Sequence, residues 1–187
     1  MANNAATSRE AVLKAGRDLL LAGGVRAVSI RAVAEACGVS VGTVYNYVDG
    51  KSELVQGIVR SIWLDVFHGA ADDPMPADDI LGCLAWFYRR LEDGARRYPG
   101  FFNGHTLVFA DGDRADARAM MRDAVDHMIA GLAGVMERDL RVRADAFGPG
   151  FERERFAALL FSLVMSAAGS GDYDPSVVLE MTRRAVL

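Results

Sequence analysis

The sequence predicts an all-α fold, an N-terminal three-helix domain followed by a larger helical domain, and three observations predict it. Apolar residues recur at three- and four-residue spacings between Gly and Pro breaks, with almost none of the strict alternation that marks a half-buried strand. Ser, Thr and Asp stand where these periodic stretches begin, and Gly or Pro where they end. With 51% apolar and 25% charged residues in 187, the chain has ordinary globular usage and the length of one large domain, or of a small module fused to a larger one.

Taken in order, Thr7-x-x-Glu10 is a capping-box pattern opening a first helix through Val12, Leu13, Leu19 and Leu20, which Gly23-Gly24 ends. Ser29 caps a short second helix that stops at Gly38, and Ser40 caps another running to about Tyr47 after a turn of two or three residues. A longer helix starts at Lys51 and leads to Asp72-Asp73-Pro74-Met75-Pro76, the clearest linker in the chain. Residues 1–50 are thus expected to form one domain and 51–187 a second, joined through a helix over about 51–71. Beyond the linker, helices are predicted at 78–98, 101–110, about 114–140, 151–168 and 175–187, the last with Asp174 as cap and Pro175 in first position.

Several classes are excluded. The longest nearly apolar stretch, Phe156 to Gly169, is shorter than the roughly 20 residues needed to cross a bilayer. The first 30 residues show no signal-peptide pattern, so the expected location is the cytoplasm, with no membrane partner. Cys37 and Cys83 are far apart and outside any C-x-x-C pattern, and both read as buried small hydrophobes. The net charge of −4 argues at first against a nucleic-acid partner, but its distribution reverses this: residues 1–60 carry seven Lys and Arg against five Asp and Glu. Nucleic-acid contact is expected only in that mildly basic N-terminal third.

Residues 29–51 have the layout of a helix-turn-helix. Ile30, Val33, Ala34 and Cys37 give one apolar face, Gly38 relieves the turn, and Val39 and Val44 fill the wedge. Val44 and Val48 point inward one turn apart, which leaves Gly42, Thr43, Asn46 and Tyr47 outward. Thr43 and Asn46 are placed near base edges and Tyr45, Tyr47 and Lys51 near phosphates, with Ser29 and Ser40 at the helix starts and Gly42 between. Pattern alone leaves open a capped hairpin that is structure only.

Residues about 9–60 resemble the DNA-binding domain of the TetR family of bacterial transcriptional regulators. The likeness is carried by Gly23-Gly24-Val25, Ser29-Ile30-Arg31-Ala32-Val33-Ala34, Gly38-Val39-Ser40-Val41-Gly42-Thr43-Val44-Tyr45 and Lys51-x-x-Leu54. It implies a homodimeric repressor that binds a palindromic double-stranded operator and is released by a small apolar or amphipathic effector held in the C-terminal domain. Val41 stands where the family often has Lys and Val48 where it usually has Phe, and Met1 to Ser8 holds no Lys or Arg.

In the acidic remainder, aromatics and methionines fall at helical spacings. Trp63, Phe67, Trp86, Phe87, Phe102, His105, Phe109, Met121, Met128, Phe161 and Met165 are the candidates to line an effector cavity, against the plainer reading of a packed core. His105 is either a polar anchor or a hydrogen-bonded core histidine. Small residues on the penultimate helix suggest close approach of a second chain, with Ala158, Ser162, Met165 and Ser166 opposed to Val177, Val178, Met181 and Val186 of the last helix; a hairpin buried within a monomer is the alternative. Asp65-x-x-His68 and Asp123-x-x-x-His127 place two possible metal ligands on one face, yet no Glu-x-x-His pair of a di-metal bundle occurs. Gly148-x-Gly150 and Gly169-x-Gly171 lack the third glycine and the strand of a dinucleotide site. No catalytic residue, metal or cofactor is therefore predicted, and the rival to a regulator is a helical-bundle enzyme or metal protein bearing a structural hairpin.

Overall fold

The structure, a computed structural model, describes residues 7–68, 73–102 and 114–187, without the side chains of residues 68, 114–121, 123 and 124. Among the described residues there are eight α-helices and no strand: α1 (Arg9–Ala27), α2 (Ile30–Cys37), α3 (Val41–Tyr45), α4 (Lys51–His68), α5 (Ile80–Arg97), α6 (Arg114–Arg138), α7 (Arg153–Ser170) and α8 (Ser176–Val186). None of them is long and apolar enough to cross a membrane. The chain divides into two compact units, residues 1–65 with 98–117, and residues 66–97 with 118–187, so the boundary falls within α4.

In the first unit the helix ends are set by local chemistry. Ser8, not Thr7, is the N-cap of α1, its Oγ accepting the Ala11 N–H at 3.1 Å; the two hydroxyl residues are adjacent, and Ser8 is the one directly ahead of the first helical residue, Arg9, with its backbone extended. Helical geometry fails at Gly23 and Gly24, the latter at φ +67°, before one further turn to Ala27. Val12, Leu13, Val28, Ile30, Val33, Val44, Leu54, Ile58 and Ile62 form the core. Cys37 is only half-buried, its Sγ 3.8 Å from the Ala11 carbonyl oxygen, because it lies at the rim of the α1–α2 contact and not beneath it. Cys83 in the second unit is buried, and burial pushes its thiol pKa up to about 12.

Where α1 meets α4 the approach is close enough to require glycine on both sides. A Cβ at Gly16 would lie 2.3 Å from Ile58 Cδ1 and 2.7 Å from Cγ1, and one at Gly57 would lie 2.9 Å from Leu13 Cδ2. Ile58 is 1% exposed, so it has no free space to rotate into. Gly16→Ala gains about 1 kcal/mol of helix propensity but overpacks a site where such insertions cost about 1–3 kcal/mol. A net loss of about 1 kcal/mol is expected in urea unfolding, with Ile58→Val on the same background restoring most of it. A Gly16→Ala protein more stable than wild type would show that the two helices part freely.

The second unit packs α7 and α8 against α5, with Leu84, Phe87, Leu91, Leu132, Met136, Leu160 and Val164 at its centre. The helices are one or two residues shorter at most ends than the periodicity predicts. Asp79 takes the Gly82 N–H at 2.8 Å and so starts α5 at Ile80. Asp174 accepts the Ser176 N–H and hydroxyl, both at 2.9 Å, but the N-cap of α8 is Pro175 and the helix starts at Ser176, one position later than the sequence predicts, because the Asp174 carboxylate bonds a residue only two positions on and closes a turn ahead of the helix.

Candidate nucleic-acid interface

Three short-range devices fix the geometry of residues 29–51. Ser29 has extended backbone and its Oγ accepts the Ala32 N–H at 3.1 Å, which starts α2. Gly38 ends α2 at φ +66°, a left-handed conformation that a Cβ disfavours; its N–H bonds Glu35 O and that of Val39 bonds Ala34 O, both at 3.0 Å, a Schellman closure. Ser40 then caps α3 by accepting the Thr43 N–H at 3.1 Å, and the Ser40 and Thr43 hydroxyls bond each other at 2.8 Å. The two helices are locked by residues within four positions of the turn. Val44 and Val48 are buried, 0% and 2% exposed, as their spacing predicts.

The outward face differs in two respects from the sequence expectation. Tyr47 is half-buried, and its phenol donates to the Thr7 carbonyl oxygen at 2.6 Å, which ties the end of the recognition segment to the start of α1. Thr43 is also half-buried, behind its bond to Ser40. Gly42, Tyr45, Asn46 and Lys51 are exposed, and among the described residues the Asn46 amide has no hydrogen-bond partner. Val41, unassigned by sequence, is exposed as well. Behind this face the Glu53 carboxylate accepts the Asp49 N–H at 2.6 Å, a capping contact that fixes the first turn of α4 and with it Lys51.

Candidate effector residues occur in both units. In the first unit Trp63 packs edge-on to Phe101 at 5.8 Å and Phe102 at 5.3 Å, and the Tyr98 phenol donates to Asp65 at 2.8 Å. In the second, Phe67, Trp86 and Phe87 form a ring cluster with centroids 5.2 to 5.9 Å apart, and Trp86 Nε1 donates to the Asp73 carbonyl oxygen at 2.9 Å. Met128, Phe161 and Met165 are half-buried. His105 and Phe109 and the Met121 side chain lie outside the described residues. Sequence reasoning passed over Arg90, which is 5% exposed, donates from Nε to the Val66 carbonyl oxygen at 2.6 Å and lies 5.9 Å from the Trp86 ring; an arginine four residues after a tryptophan on the apolar side of a helix was the available signal. An open groove of about 330 Å³ runs between α1 and α2, bordered by Thr7, Ala11, Lys14, Ala15, Asp18, Ala36 and Cys37, none of them a predicted effector residue.

On α7, Phe156, Ala157, Leu160, Val164, Ala167 and Ala168 face inward. Ser162 and Ser166 are exposed, Ala158 and Met165 half-buried, and Leu159 is 48% exposed. On α8, Val178 is buried within its own chain with Thr182 and Val186, whereas Val177 is 77% exposed and Met181 half-buried. Of the four residues expected on the outward face of α8, Val177 and Met181 are on it, whereas Val178 and Val186 turn into their own bundle.

Residues 12–58 match the sequence profile described as "Bacterial regulatory proteins, tetR family". No curated protein sequence matches the chain. Among solved structures, the chain is similar to NalD of Pseudomonas aeruginosa, described as the secondary repressor of the MexAB-OprM multidrug efflux pump, with 20% identity, TM-score 0.63 and 96% of each chain covered. It is similar also to SmeT, described as the repressor of the Stenotrophomonas maltophilia multidrug efflux pump SmeDEF, with 18% identity, TM-score 0.61, and 96% of this chain and 90% of that one covered. A regulator from Haemophilus influenzae gives 14% identity, TM-score 0.59 and 95% of both chains. At these identities the structural likeness is one of fold.

Proposed function

We propose that this chain, whose residues 12–58 match the tetR-family profile and whose fold is that of the TetR-family regulators, is a homodimeric transcriptional repressor that binds a palindromic operator and is released by a small, largely apolar effector. The observation that carries the DNA-binding part is the recognition segment itself: α3 is held by Ser40 and Gly38 while Gly42, Tyr45, Asn46 and Lys51 stay exposed. In a dimer, two such segments read half-sites whose centres lie about 34–36 Å apart.

Selection from random duplexes by the purified protein tests this. Enrichment of a two-fold symmetric site is expected. Asn46→Ala relaxes the base preference at one position per half-site, whereas Lys51→Ala weakens all duplexes alike and lowers the salt slope by about one unit per half-site. Thr43→Ala acts on specificity partly through Ser40, whose cap it loosens. Unchanged affinity, preference and salt dependence in all three variants would remove the groove assignment.

The repressor and effector parts draw support from NalD and SmeT, both described as repressors of efflux pumps, and from the density of aromatic and methionine side chains in the second unit. An effector that favours one conformer lowers operator affinity by the same factor by which operator lowers effector affinity, roughly 5–150-fold. Compounds that raise the melting temperature of the free protein are expected to show this reciprocity. Compounds that bind tightly yet leave operator affinity unchanged would make the protein a repressor without an inducer.

A further inference from the structure

The polar groups of the recognition segment are largely committed inside the protein. The Ser40 and Thr43 hydroxyls bond each other, Ser40 also accepts the Thr43 N–H, and the Tyr47 phenol is engaged by the Thr7 carbonyl. What α3 itself leaves uncovered is the Val41 side chain, 40% exposed, and the ring of Tyr45, 52% exposed, with a hydroxyl at its far end alone. The two stand one turn apart, so they share a face, and the exposed Gly42 next to Val41 adds no side chain to shield it. A β-branched aliphatic side chain can donate or accept nothing. Base edges in the major groove offer it one apolar partner, the C5-methyl group of thymine.

We propose that Val41 is a specificity-determining residue that packs on a thymine C5-methyl group in each half-site. The inference rests on the DNA-binding reading above and deepens it, since the occupant of the apolar face is now one chemical group. A guanine or cytosine there would lose water from a polar edge and gain no hydrogen bond from Val41. The exposed Asn46 amide on the same segment is suited to adenine N6 and N7, so the two residues together direct the protein to half-sites with A·T pairs at their core.

Deoxyuridine differs from thymidine only in lacking this methyl, and the test uses it. Each thymine of the selected duplex is replaced by deoxyuridine in turn, and affinity is measured for the full-length wild type and for Val41→Ala. One burial of a methyl group corresponds to about a fourfold change in affinity. At one position per half-site, uracil is expected to weaken wild-type binding about fourfold, and about 15-fold when both half-sites are changed. The Val41→Ala protein is expected to bind the thymine and uracil duplexes equally, with its melting temperature and its affinity for unrelated duplex unchanged, because Val41 is not part of the core. Two results overturn the inference alone: no uracil penalty at any position, or a penalty of full size that persists in Val41→Ala. If random duplexes yield no enriched sequence, the DNA-binding reading itself fails and the assignment of Val41 falls with it.

Discussion

Ser162→Arg is expected to convert the protein to a monomer and to reduce operator affinity by about 10²–10⁴-fold. Phe156, Leu160 and Val164 of α7 are buried against its own bundle, yet Leu159 of the same helix is 48% exposed, and Val177 of α8 is 77% exposed. Large apolar side chains left exposed beside small residues mark a surface that a partner can cover. Ser162 is exposed one turn from Leu159 on the same helix, and its hydroxyl only returns to the Ala158 carbonyl oxygen at 2.8 Å, so folding of the chain does not depend on it. Across a two-fold axis, arginine would place two guanidinium groups opposite each other in an apolar contact. Val177→Glu is expected to act in the same way from α8. The affinity loss follows because binding of the second half-site is intramolecular only in a dimer. Sedimentation and duplex titration read the two effects separately. Dimers in both variants would place the interface elsewhere, and monomers with full operator affinity would mean that one half-site suffices.

The parts of this molecule legible in the sequence are those decided within four or five residues. Ser29, Gly38 and Ser40 were readable as cap, turn and cap because each acts on a backbone group no more than four positions away, and the inward spacing of Val44 and Val48 follows from helix geometry. The features that escaped depend on distant partners. Nothing local distinguishes Tyr47 as a donor to Thr7, 40 positions earlier, from a tyrosine facing solvent. The register of α8, which buries Val178 and exposes Val177, is set by packing on α5, and a short helix with valine at both positions gives no sign of which turns inward. The edge-on contacts of Trp63 with Phe101 and Phe102, 38 and 39 positions later, are illegible for the same reason: periodicity gives a face, not the neighbour it meets.

Asp139 belongs to that illegible class, and replacing it is expected to cost the second unit about 3 kcal/mol at neutral pH. Asp139 is 4% exposed just beyond α6, and it reaches across 59 positions to accept the Ile80 N–H at 2.9 Å, one of the amides that the first turn of α5 leaves without an intrahelical partner. It also accepts the Arg141 N–H at 3.0 Å and the Arg141 guanidinium at 2.9 and 2.8 Å, while the same guanidinium bonds Asp79. Hydrogen bonds to a charged group are worth about 1.5–3 kcal/mol each and are not additive, so Asp139→Ala removes about 3 kcal/mol and leaves the Ile80 amide buried without its partner. The charge also sets a pH dependence. The Arg141 guanidinium first, then the Ile80 and Arg141 amides, hold the Asp139 carboxyl at about 2, against burial, which opposes ionisation; Asp79 is lowered as well, chiefly by the Gly82 N–H. A carboxyl depressed on folding takes up its proton more readily when unfolded. Its contribution, about 2 kcal/mol by linkage, is therefore complete above pH ~4 and disappears as pH falls from there to about 2. Asp139→Asn keeps the shape and one acceptor but cannot ionise, so it should be less stable than wild type at pH 7 and nearly equal to it at pH 2. Urea unfolding at both pH values decides the matter: an asparagine protein with the full acid sensitivity of the wild type would show that Asp139 is not the group whose protonation loosens the start of α5.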